Sequence, residues 1–171
     1  MVHQIPDGDQ PLMAEFHFAA ERILDAPADV LYHCLRDYQR HHRHGPAGFL
    51  PPAFTRLDVL RGGLGAGTTI RFTTSLGGRS VTRTQEVSEP EPGRVLLESG
   101  NGESSTFTVE PRATGTLVRI ETVLQPTGLE GMVMRLLGAR LLAPLYADEL
   151  QRLERYAQTH ARGEPALAQA G

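Results

Sequence analysis

The chain has 171 residues, of which 40% are hydrophobic, and carries a formal net charge of -3 at pH 7. A chain of this length can bury roughly 70% of the surface that it exposes when unfolded, so one compact domain is expected. All seventeen basic residues are arginine and there is no basic excess to attract nucleic acid. The absence of lysine excludes a Schiff-base amine, a P-loop ammonium and a lysine general base.

The cysteine content and the chain ends indicate the compartment. Cys34 is the only cysteine, which excludes an intrachain disulfide and a cysteine-ligated structural zinc site. Residues 1–12 lack the charged start and apolar run of a signal peptide, and no apolar stretch is long enough to span a bilayer. We therefore expect a cytoplasmic protein without integral membrane association. One domain is predicted over residues 14–162, between a flexible leader (1–13) and a flexible tail (163–171).

The first elements are a strand and one or two short helices. Apolar and polar side chains alternate over Phe16–Asp25, which predicts a strand. Pro27 pre-sets the φ angle of a first helical turn and Asp29 complements its free N–H groups, so a short helix is expected to run toward Tyr38. A second short helix is predicted over Gln39–His44, where a Gly-Pro pair must end it.

The middle of the chain is predicted to be a series of hairpins. Glycine- and proline-rich turns separate short runs rich in Thr, Val, Ile, Leu and Phe. These runs predict strands at Phe54–Leu60, Thr68–Ser75, Ser80–Ser88, Arg94–Ser99, Ser104–Glu110 and Thr116–Leu124. With the first strand they form a seven-stranded antiparallel sheet, which its right-handed twist curls into a half-barrel. One face of that sheet then needs a cover.

The cover is predicted to be a long amphipathic helix from about Leu129 to Ala161. Apolar side chains recur at helical spacing at Met134, Leu137, Leu141 and Leu145. Pro144 cannot donate a backbone hydrogen bond and its ring clashes one turn back, so a kink or break is expected close to Leu141. A single helix laid across a strongly bent sheet leaves a space between the two, which suggests a cavity.

Three segments carry a resemblance to a known family. Glu21–Leu31 is similar to a strand, Ala-Pro turn and first helix, Arg61–Thr68 to a glycine-rich hairpin, and Glu89–Arg94 to a proline-rich turn. In this order they resemble the START/Bet v 1-like (SRPBCC) superfamily, which has polyketide cyclase/dehydrase and lipid-transport members. The resemblance covers about Ala14–Ala161. The chain departs from the family in lacking tryptophan, since an aromatic is common soon after the Ala-Pro turn, and Tyr32 is the candidate for that place.

The resemblance implies an α+β helix-grip fold. Its parts would be a seven-stranded curved antiparallel sheet, two short helices after the first strand and a long C-terminal helix across the concave face. It also implies a cavity between sheet and helix for lipids, aromatic polyketides, steroids or similar molecules. The same apolar stripe would be ordinary core in another helix-on-sheet protein, and the resemblance is what favours a cavity. Its expected apolar lining is Phe18, Ile70, Phe72, Phe107, Met134, Leu137, Leu141 and Leu145.

Polar side chains that share the apolar face of a strand are further candidates for the site. Arg22, Arg83 and Gln85 each share a strand face with apolar residues. An inward guanidinium would need an anionic partner, either a protein carboxylate or the ligand's own carboxylate or phenolate. A β-bulge that shifts the register would instead put these side chains outside. The hydroxyls of Tyr32, Tyr38 and Tyr146 are candidates for the same space, and the alternative is that these side chains simply pack in the core.

A histidine-rich stripe follows the first helix. If that helix continued, His33, Asp37, His41 and His44 would share one face and could hold zinc or place an imidazole at the cavity mouth. The alternative is a solvated segment whose neighbouring arginines repel a cation. We expect no metal and no cofactor, and we take His41 as the candidate imidazole.

The remaining motifs point away from nucleotide binding and hydrolysis. Gly63–Gly67 is similar to a dinucleotide loop, but the residues after it favour a strand, so no helix N-terminus is available for a pyrophosphate. Neither a Gly-x-Ser-x-Gly elbow nor a His-Glu-x-x-His pair occurs. Cys34 is expected to be a small buried hydrophobe.

The sequence favours a binding protein over an enzyme. The first hypothesis is binding, sequestration or transport of a small hydrophobic or amphipathic ligand, which enters by movement of the loop His44–Pro52. The alternative is a polyketide cyclase, dehydratase or isomerase that uses a histidine or tyrosine as acid/base and an arginine to stabilise an enolate. A third possibility is an adaptor that uses the exposed face of the last helix. No catalytic residue is assigned.

Overall fold

The computed structural model describes residues 15–43, 47–125 and 128–161, and the side chains at all of these except 128–135 and 161. The predicted leader and tail, the residues from His44 to Pro46 and the side chain of Met134 lie outside this description.

The described residues form seven strands and two helices. The helices are α1 (Ala28–Arg36) and α2 (Gly128–Ala161). The strands are β1 (Phe16–Leu24), β2 (Phe54–Arg61), β3 (Thr69–Leu76), β4 (Arg79–Glu91), β5 (Val95–Gly100), β6 (Glu103–Arg112) and β7 (Gly115–Leu124). The predicted strands and the long helix are confirmed, with ends that differ by a few residues.

All seven strands belong to one antiparallel sheet in the order β1-β7-β6-β5-β4-β3-β2. Strands β2 to β7 form a meander joined by tight turns, as the turn residues predict. β1 pairs with β7 along its whole length, from Phe16 opposite Leu124 to Leu24 opposite Thr116. The first two strands of the chain therefore lie at opposite edges of the sheet, with α1 in the connection between them.

One face of the sheet carries the core. On β7 the side chains of Thr116, Val118, Ile120, Thr122 and Leu124 are buried, whereas the alternate residues are half-buried. α2 lies across this concave face and contacts β1 and α1. The architecture is the helix-grip fold that the resemblance implies.

α1 starts after Pro27 and ends at Arg36, because Asp37 adopts an extended backbone (φ -98°, ψ 90°). The carboxylate Oδ1 of Asp37 accepts hydrogen bonds from the backbone N–H groups of Gln39 and Arg40. A side chain that captures these N–H groups competes with helix formation. Residues 39–43 accordingly form turns and bends, and the second short helix predicted over Gln39–His44 does not form in the part that the structure describes.

α2 is one continuous helix through Pro144. Of the kink or break predicted near Leu141, the break is therefore wrong and the kink stays a prediction. The proline removes a single hydrogen bond, and the buried neighbours Leu142, Leu145 and Tyr146 hold both sides of the helix against the sheet. Within the described ranges, neither helix is long and apolar enough to cross a membrane.

Candidate functional site

A cavity of about 350 Å³ lies between the concave face of the sheet and α2. Its volume falls within the range of roughly 300–1,000 Å³ that is common for small-molecule sites. Among its lining residues, Gly77, Arg79 and Leu137 are exposed, so the cavity opens between the β3–β4 turn and the first half of α2. Residues 47–52 of the predicted entry loop, His44–Pro52, do not line the cavity, and entry by movement of that loop stays a prediction.

Most of the wall is apolar. Alternate residues of neighbouring strands point to the same face, which places apolar side chains of several strands around one space. The sheet contributes Phe54, Phe72, Leu76, Val81, Phe107, Ile120 and Leu124, and α2 contributes Leu137, Leu141, Leu142 and Leu145. An apolar guest of matching size would be removed from water on all of these sides.

The buried end of the cavity is polar. Its groups come from the turn after α1, from β5 to β7 and from α2, which the fold brings together although they are far apart in the chain. They are His42, Glu98, Ser105, Thr122, Tyr146 and Glu149. All six are buried, so hydrogen bonds there form with little competition from water.

Glu98 lies on the inward face of β5. The hydroxyl of Tyr38 donates a hydrogen bond of 2.6 Å to its Oε1. Burial raises the pKa of Glu98 to about 7, and the hydrogen bond from Tyr38 only partly opposes this. The charge of Glu103 raises the pKa further. This carboxyl therefore exchanges its proton near neutral pH.

His42 is held in one tautomer. Its Nδ1 lies 2.7 Å from the carbonyl oxygen of Leu35, so Nδ1 carries the proton and donates, and Nε2 carries the lone pair. Burial lowers the pKa of His42 to about 4 despite that hydrogen bond. The ring stacks on Tyr38 at 4.6 Å between centroids. A neutral imidazole therefore lines the cavity, with its Nδ1 4.0 Å from the carboxylate of Glu98.

Glu149 projects from α2 and is 3% exposed. In the part of the chain that the structure describes, no hydrogen-bond donor or cation lies in contact with its carboxyl group. Burial, then the charge of Glu98, then that of Asp148 raise its pKa to about 8. Glu149 is thus a buried acid that is mostly protonated at neutral pH when no cationic guest lies beside it.

Three hydroxyls beside Glu149 form a chain. The hydroxyls of Tyr146 and Thr122 lie 2.5 Å apart, and that of Ser105 lies 2.9 Å from Thr122. Burial raises the pKa of Tyr146, so its hydroxyl stays protonated. These three groups satisfy one another, whereas the carboxyl of Glu149 has no hydrogen-bond partner among the described residues.

Arg83 faces the cavity from β4 and has a protein carboxylate as its partner. Its Nε lies 2.5 Å from Oε2 of Glu103 on β6, and the two side chains are 20% and 12% exposed. The ion pair spans the cavity wall between β4 and β6. The anionic partner that an inward arginine requires is therefore supplied by the protein.

A model of the family described as polyketide cyclase/dehydrase and lipid transport matches residues 15–158. The chain belongs to this family. Among curated protein sequences, none matches the chain.

Solved structures show the same fold as this polyketide cyclase/dehydrase family member. The solution structure of the KanY protein superimposes with a TM-score of 0.69 at 19% identity, over 85% of this chain and 99% of that one. TTHA0849 from Thermus thermophilus superimposes with a TM-score of 0.66 at 21% identity, over 85% of this chain and 99% of that one. The ZhuI aromatase/cyclase from a Streptomyces species superimposes with a TM-score of 0.66 at 15% identity, over 87% of this chain and 97% of that one. At these identities the likeness concerns the fold alone.

Six of the predicted site residues line the cavity of this family member: Phe72, Arg83, Phe107, Leu137, Leu141 and Leu145. Two others lie behind its wall. Phe18 packs against Tyr146 with ring centroids 5.4 Å apart, and Ile70 is fully buried in the core opposite Gln85. Gln85 is 1% exposed, and neither its amide nitrogen nor its amide oxygen has a hydrogen-bond partner among the described residues.

Two predicted polar residues serve the fold at other places. Arg22 faces α2 but lies beyond the cavity, where it pairs with Glu154 at 3.2 Å and is 47% exposed. Tyr32 donates a 2.7 Å hydrogen bond to Glu89, which also pairs with Arg36 at 3.0 Å. This cluster joins α1 to the end of β4. Neither Arg22 nor Tyr32 lines the cavity.

The predicted histidine stripe forms a cluster away from the cavity. Ligand atoms of His33, Asp37 and His41 lie within 4.8 Å of one another. Nδ1 of His41 lies 2.7 Å from the hydroxyl of Tyr156, which fixes this segment to α2. His41 therefore does not supply the imidazole predicted at the cavity mouth, and His42 occupies the cavity wall instead.

The family resemblance and the local patterns missed the two buried acids of the site. A signal for both is present in the sequence. Glu98 shares the inward parity of β5 with the fully buried Leu96, and Glu149 lies at helical spacing between Leu145 and Leu153. A carboxyl group on the apolar face of a strand or helix lowers the stability of the fold unless it has a partner, so its presence there is a signal of a functional site.

Proposed function

We propose that the protein binds, sequesters or carries a small hydrophobic or amphipathic molecule of lipid, polyketide or aromatic type in the cavity beneath α2. One observation carries the proposal: an apolar cavity of about 350 Å³ whose inner end holds a small set of polar groups. The family description, which includes lipid transport, supports the same function. A cytoplasmic location is part of the proposal and fits a chain with one cysteine, Cys34.

Binding would be driven by desolvation of the guest. Each roughly 100 Å² of apolar surface removed from water contributes about 2.5 kcal/mol, before the entropy lost on association is subtracted. The polar groups at the inner end would fix the orientation of the guest, because an unpaired polar group there has no water to satisfy it. The exposed lining residue Leu137 marks the side through which the guest enters.

The proposal is tested by filling the cavity. Leu141 lines the cavity and is half-buried, so Leu141→Trp places an indole inside it. Leu136→Trp is the matched control, since Leu136 is on the same helix and is 72% exposed. With naphthylmethanol as the fluorescent probe, we expect Leu141→Trp to weaken binding at least roughly tenfold and Leu136→Trp to bind as the wild type does. Equal binding by both variants, with native circular dichroism spectra, would refute the proposal.

A second candidate function is acid–base catalysis of the polyketide cyclase or dehydratase kind. The observation that favours it is Glu98, a buried carboxyl whose pKa of about 7 suits proton transfer near neutral pH and which lies beside the neutral ring of His42. The pairing of Arg83 with Glu103 weighs against it, since the arginine charge is already compensated. Turnover of a linear poly-β-ketone thioester that is abolished by Glu98→Gln would establish catalysis; retention of binding without turnover would exclude it.

A further inference from the structure

We propose that the guest of this cavity is an amphipathic amine, whose ammonium group lies at the inner end between Glu98 and Glu149 while its apolar body lies along the leucines of α2. The inference rests on the proposed binding function and adds the chemical class of the ligand.

The first argument is the position of the two acids. Glu98 comes from β5 in the sheet and Glu149 from α2 in the cover, both line the same cavity, and the charge of Glu98 acts on Glu149. Both are buried, at 6% and 3% exposure. A site with two facing carboxyls is arranged for a donor with more than one hydrogen, which an ammonium provides.

The second argument is the charge balance of the lining. Besides Glu98 and Glu149, the lining residues that can carry charge, among the side chains that the structure describes, are Arg79, Arg83, Glu103 and His42. Arg83 and Glu103 compensate each other, His42 is held neutral, and Arg79 is exposed on the β3–β4 turn at the open side. The inner end is therefore an acidic region, and none of the described lining cations is committed to Glu98 or Glu149.

The third argument is the unmet bonding capacity of Glu149. Glu98 accepts a hydrogen bond from Tyr38, whereas the carboxyl of Glu149 has no donor among the described residues. A buried carboxyl without a partner is destabilising, and a cation brought by the ligand removes that penalty for Glu149 and for Glu98 together.

The same arrangement disfavours an anionic guest. A carboxylate head at the inner end would lie beside two acids, and ionisation of either acid would repel it. A fatty acid would have to orient its head toward Arg79 at the mouth and leave Glu149 unpaired. A neutral alcohol satisfies Glu149 with a single hydrogen bond and without charge. The expected order of affinity is therefore amine, then alcohol, then acid.

The test uses three probes with the same apolar body: naphthylmethylamine, naphthylmethanol and naphthylacetic acid. Their fluorescence or binding heat is titrated near neutral pH against the full chain and two variants. Glu149→Gln leaves a side chain of similar size that cannot become an anion when a cationic guest binds. Glu154→Gln makes the same chemical change on the same helix outside the cavity, where Glu154 pairs with Arg22. Circular dichroism spectra and thermal unfolding confirm that each variant is folded.

For the wild type we expect the amine to bind roughly tenfold or more tightly than the alcohol, and the acid to bind most weakly. Glu149→Gln should lower the amine-to-alcohol ratio, because the ammonium group then keeps only Glu98 as an anionic partner, while the affinity for the alcohol stays close to that of the wild type. Glu154→Gln should keep the wild-type order. Glu98→Gln is the second cavity variant and should also lower the amine-to-alcohol ratio. It tests the inference in place of Glu149→Gln if that variant fails to fold.

The outcomes separate this inference from the proposed function. If the alcohol or the acid binds as tightly as the amine, or if Glu149→Gln keeps the preference for the amine, the inference is overturned and the binding function stands. If none of the three probes binds, the binding function fails and the inference fails with it.

Discussion

Glu98 on β5 and Glu149 on α2 face one cavity from opposite walls, and after burial the charge of Glu98 is the largest cause that raises the pKa of Glu149 to about 8. The two acids interact, so the protonation of one depends on the other. This relationship links the stability of the unliganded protein to pH and links the charge of a guest to its affinity.

The first prediction concerns the pH dependence of stability. Because the folded pKa of Glu149 is raised from 4.5 to about 8, the native state keeps a proton that the unfolded state releases over this window. The contribution of this bound proton to the stability of the folded state is complete below pH 4.5 and is lost as the pH rises toward about 8. Since glutamine mimics the protonated acid, the unfolding free energy of Glu149→Gln should exceed that of the wild type by more at about pH 8 than at about pH 5.

Urea unfolding of both proteins at the two pH values measures this difference. The native groups that act on Glu149 are Glu98 from β5 and Asp148 from its own helix, and both are kept in the variant. Glu154→Gln serves as the control, with a difference from the wild type that does not grow with pH. A Glu149→Gln difference that is the same at both pH values would contradict the prediction.

Much of the fold follows from local pattern. The alternation of β7 and the turn residues between strands predict the meander, because each tight turn forces an antiparallel neighbour. The pairing of Phe16 with Leu124 joins the first and the last strand of the chain, which are neighbours in the sheet, and no local pattern predicts it. The missing second helix depends on a single side chain, Asp37, which takes the N–H groups that the helix would have used.

The site was predictable in its apolar part. Strand parity placed Phe72 and Arg83 on the inward face, where the structure has them. The histidine prediction depended on extending a helix through Asp37. Once the helix ends there, the phase of the following residues changes, and His42 rather than His41 reaches the cavity. Which long-range groups meet at the inner end, such as Glu98 and Glu149, depends on how α2 lies on the sheet, and periodicity alone does not give that.

The second prediction concerns Pro144 in the middle of α2. Pro144→Ala restores the backbone hydrogen bond to the carbonyl of Arg140 and removes a ring clash, while Pro144 itself is exposed and makes little core contact. We expect the unfolding free energy to rise by about 1–3 kcal/mol, with an unchanged cavity. Chemical denaturation measures the change. A loss of stability would show that α2 needs the curvature at Pro144 to fit the sheet.

The third prediction concerns the buried amide of Gln85. This side chain is 1% exposed on the inward face of β4, and its nitrogen and oxygen have no partner among the described residues. Gln85→Met keeps the length of the side chain and removes both polar atoms. Because an unsatisfied buried polar group costs about 1–3 kcal/mol, the variant should be more stable by up to that amount in urea unfolding. A variant that is clearly less stable would mean that the amide is satisfied in solution.

The fourth prediction concerns Glu89, whose side chain is 8% exposed. Burial opposes its ionisation, but hydrogen bonds from Arg36, the backbone N–H of Ala66 and Tyr32 outweigh burial and hold its pKa below the usual 4.5. The ionised Glu89 carboxylate therefore stabilises the folded state fully above pH 4.5, and this stabilisation is lost as the pH falls through the lowered pKa. Glu89→Gln should cost about 1–3 kcal/mol at neutral pH in urea unfolding, and this cost should shrink in acid. Glu86→Gln breaks an exposed pair and should cost less than about 0.5 kcal/mol; equal costs for the two variants would contradict the structural role of Glu89.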